Sequence, residues 1–178
     1  RSEETNLGDF TADAYLYTGK KYVEDNKLGI SVDCAISNGG GIRTSVEPGD
    51  ISMDTLVTIF PFGNNVCLVT ITGAQLLEIL EASTFCTPET IGGFPQVAGI
   101  EYTLDTTVPY ENGAQYPNST YYAPAKPGSR VTITSVNGQP FDAAKNYTVV
   151  VNGFQAEGGD TYYQLTQGSY FADTNVLD

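Results

Sequence analysis

The stretch Val66-Cys67-Leu68-Val69-Thr70-Ile71-Thr72-Gly73-Ala74-Gln75-Leu76-Leu77-Glu78-Ile79-Leu80-Glu81 carries a strand signal and a helix signal side by side. Residues 66–71 are rich in β-branched side chains, which favour a strand. Thr72 can cap the helix that follows, and the leucines of this stretch form its apolar stripe. Glu78 and Glu81 are predicted to face water on the opposite side. A strand that runs directly into an amphipathic helix indicates a chain in which helices pack on a sheet.

Outward from this stretch, similar patterns predict further elements. A helix is expected from Asn6, which is placed as its N-cap, to about Glu24, and Ser52 can cap a short helix that ends at Ile59. Asn137-Gly138 is typical of a hairpin turn with positive φ at both central residues. The further predicted strands are Val32 to Ser37, Gly99 to Leu104, Val131 to Val136 and Tyr147 to Val151.

The pattern predicts one domain over residues 1–178, with an α+β fold and a mixed, largely antiparallel sheet flanked by helices. Its ligand-binding loops are expected at one edge of the sheet. Residues 106–129 are rich in tyrosine, proline and asparagine, and this stretch is long for a loop in a compact domain. We therefore interpret it as a surface insertion, with a solvated loop that contacts the domain favoured over a role in substrate specificity.

Composition excludes several kinds of chemistry. The 178 residues include 8 basic and 21 acidic side chains, for a net charge of −13, and no histidine. A histidine general base, a Ser-His-Asp triad and an imidazole-bound metal are therefore impossible within this chain. We expect no catalytic residue and no metal site here. Proton chemistry would require carboxylates or another domain.

The negative net charge also limits the classes of molecule that this chain can bind. A surface with a negative summed field repels nucleic-acid polymers, and the lysines form no basic run. No apolar stretch approaches the roughly 20 residues of a membrane-spanning helix. Cys34 and Cys67 lie in apolar runs and are predicted to be buried, without a Cys-x-x-Cys spacing. The chain shows no start methionine, and we expect a domain processed or excised from a longer protein.

A glycine loop follows the predicted strand that ends at Ser37. Gly39-Gly40-Gly41 lacks the lysine of a phosphate-binding P-loop, so by itself it indicates a tight turn. The flanking residues add chemistry: Asn38 offers an amide with a donor and an acceptor, and Arg43 offers a planar guanidinium. Together they are compatible with a phosphate or carboxylate ligand.

Two phenylalanines also lie in glycine-marked loops. Phe62 stands between Pro61 and Gly63, and Phe154 precedes Gly158-Gly159-Asp160. Either ring could simply pack under its loop, and Asp160 could cap a turn. Two rings, an amide, a carboxylate and a guanidinium are also what a nucleoside site requires: rings to stack the base and polar groups for its edge, ribose and phosphate.

Several motifs together resemble a known family. They are Thr5-Asn6-Leu7-Gly8-Asp9, Asn38-Gly39-Gly40-Gly41-Ile42-Arg43, Gly49-Asp50-Ile51, Pro61-Phe62-Gly63-Asn64 and Phe154-Gln155-Ala156-Glu157-Gly158-Gly159-Asp160. In this order they resemble the C-terminal domain of the 5′-nucleotidases, which include ecto-5′-nucleotidase and periplasmic UDP-sugar hydrolases. The resemblance covers nearly the whole chain.

The resemblance implies that catalysis and nucleoside binding are carried out by two different domains. An N-terminal metallophosphoesterase domain of the same polypeptide, absent from this chain, would hold two divalent metal ions and the catalytic histidine. This domain would bind the nucleoside portion of a nucleotide and present its phosphate. It would be inactive in isolation. An extracellular, cell-wall attached or periplasmic location is implied as well.

By position, the resemblance also implies roles for individual residues. Phe62 and Phe154 would sandwich the base, and Asn38 would contact its edge. Asp160 would hold the ribose hydroxyls, and Arg43 would reach phosphate or ribose. The remaining implied binding positions are Arg1, in place of a family arginine, and Gly40 of the glycine loop.

Three functions compete at this point. The first is the substrate-binding domain of a secreted 5′-nucleotidase that converts nucleoside monophosphates or related nucleotides to nucleoside and phosphate. The second is an extracellular adhesion or structural module that retains the fold without catalysis. An upstream metallophosphoesterase domain would favour the first, and an array of other binding domains the second. A hydrolase that uses only carboxylates is a weak third, because no close acidic pair stands out.

Overall fold

The computed structural model describes residues 1–178 and has an α+β fold, as predicted. The helices are α1 (Asn6–Asp25), α2 (Met53–Ile59), α3 (Gly73–Ser83), α4 (Gly153–Ala156) and a 3₁₀ helix (Tyr163–Gln167). The strands are β1 (Cys34–Asn38), β2 (Asn65–Thr72), β3 (Pro95–Ala98), β4 (Ile100–Leu104), β5 (Asn112–Gln115), β6 (Tyr122–Pro124), β7 (Val131–Val136), β8 (Gln139–Pro140), β9 (Asn146–Asn152) and β10 (Tyr170–Leu177).

The main sheet has five strands in the order β10-β2-β9-β1-β3. The neighbours β1 and β9 are parallel, with Cys34 opposite Val149, and the other three pairs are antiparallel. Strands β4, β7 and β8 form a second sheet, and β5 and β6 form a hairpin. The predicted mixed and largely antiparallel sheet is confirmed.

Both faces of the main sheet are covered, because the central strands are buried on both sides. Val149 and Val151 of β9 pack in a cluster with the leucines of α3 and the second sheet. Val150, between them, points the other way and packs with Ala12 and Tyr15 of α1. This alternation follows from the two-residue period of a strand. Helices therefore flank the sheet, as expected.

The helix N-caps and the hairpin turn that the sequence predicts are close to those in the structure. Ser52 caps α2, and Thr72 caps α3 in a capping box with Gln75. The N-cap of α1 is Thr5 rather than Asn6, one residue earlier than predicted. The turn at Asn137-Gly138 has φ of 52° and 68°, as the hairpin prediction requires.

The prediction that Glu78 and Glu81 of α3 face water is wrong. Glu81 is completely buried, and its carboxylate accepts hydrogen bonds from the Gly128 backbone nitrogen at 2.5 Å and the Ser129 hydroxyl at 2.6 Å. Glu78 is partly buried and accepts a hydrogen bond from the Tyr116 hydroxyl at 2.9 Å. The physical reason is that the β5–β6 hairpin and the chain after it lie over α3 and direct their donors at these carboxylates.

The segment 106–129 has its own structure. It contains the β5–β6 hairpin, and the buried Tyr116 joins it to α3. The Tyr110 hydroxyl donates to the Tyr122 carbonyl at 2.7 Å, and the Arg130 guanidinium lies 5.9 Å from the centre of the Tyr110 ring. The tyrosines thus fasten the segment to the domain. That it is an insertion stays a prediction.

The cysteines are unpaired, and Cys34 and Cys67 are buried as predicted. Burial raises the pKa of the Cys34 thiol, and it raises that of Cys67 to about 11. Both therefore stay protonated and act as small apolar side chains. None of the helices combines the length and apolar character needed to cross a bilayer.

Candidate functional site

The topology brings four loops to one edge of the main sheet. The parallel strands β1 and β9 end there, at Asn38 and Asn152. The antiparallel strands β2 and β3 begin there, at Asn65 and Pro95. Ligands of open α/β sheets bind outside the carboxyl ends of parallel strands. The segments that meet at this edge are 39–43, 60–64, 91–94 and 153–160.

A cavity of about 260 Å³ lies between these loops. Its lining residues are Asn38, Gly40, Gly41, Arg43, Phe62, Asn64, Gly92, Phe154 and Asp160. Six of the seven predicted binding residues are therefore brought together, and Arg1 is the one that does not line the cavity. The other lining residues, Gly41, Asn64 and Gly92, were not predicted to bind. Gly41 and Asn64 lie in motifs that the sequence analysis quotes, whereas Gly92 carries no local signal.

Two aromatic rings are exposed at the cavity. Phe62 is 61% exposed and precedes Gly63, whose φ of 60° turns the chain after α2. Phe154, on α4, is 42% exposed. Its ring lies against Gly159, where a Cβ atom would overlap it. Neither ring packs fully under its loop, so both offer surface on which a planar ligand can stack.

Asn38 supplies a buried amide at the base of the cavity. Its Oδ1 accepts a hydrogen bond from Asn152 Nδ2 at 2.9 Å. No hydrogen bond within the protein uses Asn38 Nδ2, and this atom is not among the fully buried unpaired ones. An N–H donor is therefore available to a ligand.

Arg43 is held at the rim of the cavity by two contacts. Its Nη1 donates to the Gly40 carbonyl at 2.9 Å, and its guanidinium carbon lies 5.7 Å from the centre of the Phe62 ring. The backbone N–H of Arg43 donates to the Ile59 carbonyl at 3.0 Å. These contacts leave the other guanidinium donors for an anionic or hydroxyl ligand.

Asp160 is half-buried and accepts no hydrogen bond from the protein. Burial raises the pKa of its carboxyl, and the charge of Arg1 partly offsets this effect. Arg1 is itself anchored, because its carbonyl accepts a hydrogen bond from Ile91 N at 3.0 Å. A half-buried carboxylate without a partner is a candidate ligand group.

Two glycines allow the loops to approach closely. The Gly40 N–H donates to the Gly92 carbonyl at 2.7 Å, and a Cβ on Gly40 would lie 2.8 Å from Gly92 Cα. Any side chain on Gly40 would push the 91–94 segment away and change the cavity. Gly40 thus shapes the site through its backbone.

No three cysteine, aspartate or glutamate side chains converge as a metal site would require. The site instead combines two rings, amides, a carboxylate and a guanidinium. The family model of the 5′-nucleotidase C-terminal domain matches residues 1–167. The chain belongs to the 5′-nucleotidase C-terminal domain family. The resemblance inferred from the sequence motifs is confirmed.

Members of the 5′-nucleotidase family match along most of the chain. The trifunctional nucleotide phosphoesterase YfkN of Bacillus subtilis is 35% identical over the whole chain, which spans 11% of that protein. Protein UshA of Escherichia coli is 31% identical over 82% of the chain and 22% of its own length. The crystal structure of a 5′-nucleotidase precursor from Thermus thermophilus superposes with a TM-score of 0.75 and 31% identity, covering 98% of this chain and 30% of that one. The chain therefore spans less than a third of the length of these 5′-nucleotidase relatives.

Proposed function

We propose that this chain is the substrate-binding domain of a secreted, two-domain 5′-nucleotidase, and that it binds the nucleoside part of a nucleotide. The observation that carries the proposal is the convergence of Phe62 and Phe154 on one cavity that also contains Asn38, Asp160 and Arg43. In this assignment the rings stack the base and Asn38 contacts its edge. Asp160 holds ribose hydroxyls, and Arg43 faces the phosphate.

The geometry supports this order of contacts along a nucleotide. The exposed rings and the free amide nitrogen of Asn38 offer apolar and hydrogen-bonding surface for a base. Asp160 lacks a partner of its own, and hydroxyl groups of a ribose would supply two donors. Arg43 lies at the rim, so a phosphate bound there would face outward.

The reaction itself is assigned to a second domain of the same polypeptide. This chain has no histidine and no cluster of metal-ligating side chains, so it supplies recognition and orientation. The other domain would hold two divalent metal ions and cleave the phosphate ester, which yields nucleoside and phosphate. Secretion is supported by relatives named a snake venom 5′-nucleotidase and a 5′-nucleotidase precursor.

Titration of the chain with adenosine, followed by amide NMR shifts, tests nucleoside binding. Each base–aromatic stack contributes about 1–3 kcal/mol, so we expect millimolar affinity without a phosphate contact. Phe62→Ala or Phe154→Ala should weaken binding about fivefold to a hundredfold. Absence of shifts at the cavity at millimolar adenosine would contradict the proposal.

Phe10→Ala is the matched control. Phe10 is 61% exposed, the same as Phe62, but it lies on α1 outside the cavity. Its removal should leave adenosine affinity unchanged. Equal losses in all three variants would point to a general effect on the fold rather than to base stacking.

A further inference from the structure

Asn152 connects two groups of the cavity. It is the last residue of β9 and the N-cap of α4, the short helix that carries Phe154, and its side chain is 1% exposed. Its Oδ1 accepts a hydrogen bond from the Gln155 backbone nitrogen at 2.9 Å. Its Nδ2 donates to Asn38 Oδ1 at 2.9 Å. One buried amide therefore holds both the helix end and the Asn38 amide.

The direction of these hydrogen bonds is fixed by the backbone. The Gln155 N–H can only donate, so the Asn152 atom that faces it must be the oxygen. The other amide atom of Asn152 is then the nitrogen, which can only donate. Asn38 must therefore accept this hydrogen bond with its Oδ1, and Asn38 Nδ2 is the amide atom that remains available in the cavity. No other assignment of the two amides satisfies every donor and acceptor in this chain of contacts.

We propose that Asn152 is a positioning residue that holds the Asn38 amide with its nitrogen toward the cavity, so that the site selects a base with an acceptor nitrogen at this edge. The inference rests on the proposed function and deepens it, since it assigns a hydrogen-bond polarity to the base contact. Asn152 does not itself touch the ligand. It acts by excluding the reversed orientation of Asn38.

Adenosine analogues measure this polarity directly. The adenine ring has acceptor nitrogens N1, N3 and N7, and the 1-deaza, 3-deaza and 7-deaza analogues each replace one of them by C–H. The wild-type chain should bind one of these analogues about three- to tenfold more weakly than adenosine, because Asn38 Nδ2 then faces a C–H group. NMR titration with each analogue identifies it.

Asn152→Asp should remove that preference. One carboxylate oxygen can still accept from Gln155 N–H, and aspartate is a good N-cap, so α4 is retained. The other oxygen can only accept, so Asn38 must turn its nitrogen to it and present its own oxygen to the cavity. Adenosine binding should fall to the level of the weak analogue, and the difference between the two ligands should disappear.

Thr72→Asp is the matched control, because Thr72 caps α3 with the same kind of capping box but lies outside the cavity. It should keep the wild-type preference. If Asn152→Asp does not fold, the side-chain amide signals of the wild type decide. Those of Asn38 should shift with adenosine and shift less with the weak analogue, and an unmoved Asn38 amide would overturn the inference.

The outcomes separate the two proposals. Failure of the wild type to bind adenosine at all would overturn the proposed function. Adenosine binding with no loss for any of the three analogues would overturn the assigned polarity of Asn38. A folded Asn152→Asp variant that keeps the wild-type preference would overturn the role of Asn152 alone.

Discussion

Asp160 illustrates how a proposed binding residue can oppose stability. Its carboxylate is half-buried without a hydrogen-bond donor, which raises the pKa of the group. The native state therefore binds a proton more tightly than the unfolded chain does. Stability then falls as the pH rises from the ordinary pKa of 3.8 through the raised value. A ligand that donates hydrogen bonds to the ionised carboxylate would relieve this cost.

We expect Asp160→Asn to increase the free energy of unfolding at neutral pH and to weaken adenosine binding about tenfold or more, because a charged acceptor is lost. Urea denaturation from about pH 4 to about pH 7 checks the first part. Asp178 also has a raised pKa because of burial, so only the difference between wild type and variant reports Asp160. The exposed Asp13 offers the control Asp13→Asn. A variant less stable than wild type at neutral pH would contradict this view.

At the scale of elements, α3 depends on a carboxylate that its own sequence pattern does not explain. Glu81 occupies a polar position of an amphipathic helix, yet it accepts hydrogen bonds from the chain at Gly128 and Ser129. Arg130 follows directly, and its guanidinium donates to the Phe85 carbonyl at 2.9 Å, just beyond the helix end. These contacts join α3 to the start of β7.

Glu81→Gln should lower the free energy of unfolding by about 2–3 kcal/mol, because a buried amide nitrogen would replace an acceptor that serves charge-assisted hydrogen bonds. Urea denaturation measures the change. Glu24→Gln on the exposed part of α1 is the matched substitution and should change stability by less than about 0.5 kcal/mol. A similar small effect at Glu81 would mean that the buried contacts contribute little.

The elements predicted from sequence are those with a local signal. The strand β7, the helix α3 and the Asn137-Gly138 turn follow from periodicity and turn chemistry within a few residues. Strands β3 and β10 were not predicted. The first is four residues long and begins with Pro95, and the second lacks a regular alternation. Both lie at the edges of the main sheet, where pairing with distant strands defines them.

The same distinction between local sequence signals and long-range contacts applies to the candidate site. Asn38, Phe62, Phe154 and Asp160 could be singled out because each lies in or beside a loop that glycines mark. Gly92 contacts Gly40, and Asn152 contacts Asn38, both across the sheet edge. These partners are far away in sequence, so no local pattern reveals the two contacts.

At the scale of the whole molecule, the net charge and the sheet topology affect different properties: the first affects the surface, and the second determines where the cavity forms. The chain carries a net charge of −13, and its single ion pair joins Lys21 to Asp25 on the exposed side of α1. The cavity forms where the parallel pair β1 and β9 meets two antiparallel neighbours. The fold thus brings the candidate binding groups together in a chain that is strongly acidic as a whole.

Ligand binding should stabilise the entire domain. At about ten times its Kd, adenosine adds about 1.4 kcal/mol to the free energy of unfolding. For a chain of this size that corresponds to a rise in Tm of about 3–6 °C. Differential scanning fluorimetry measures it, and Phe154→Ala should reduce the rise at the same ligand concentration. An unchanged Tm for the wild type at saturation, as determined by NMR, would show that the bound state is not the native fold.

The exposure of the two rings also has a kinetic consequence. Phe62 and Phe154 already line an open cavity, so a nucleoside can enter and leave without the displacement of any segment. With an association rate constant of about 10⁷ M⁻¹s⁻¹ and a millimolar Kd, a bound nucleoside stays for about 0.1 ms. In the proposed two-domain 5′-nucleotidase, release of the nucleoside from this domain would therefore not limit turnover.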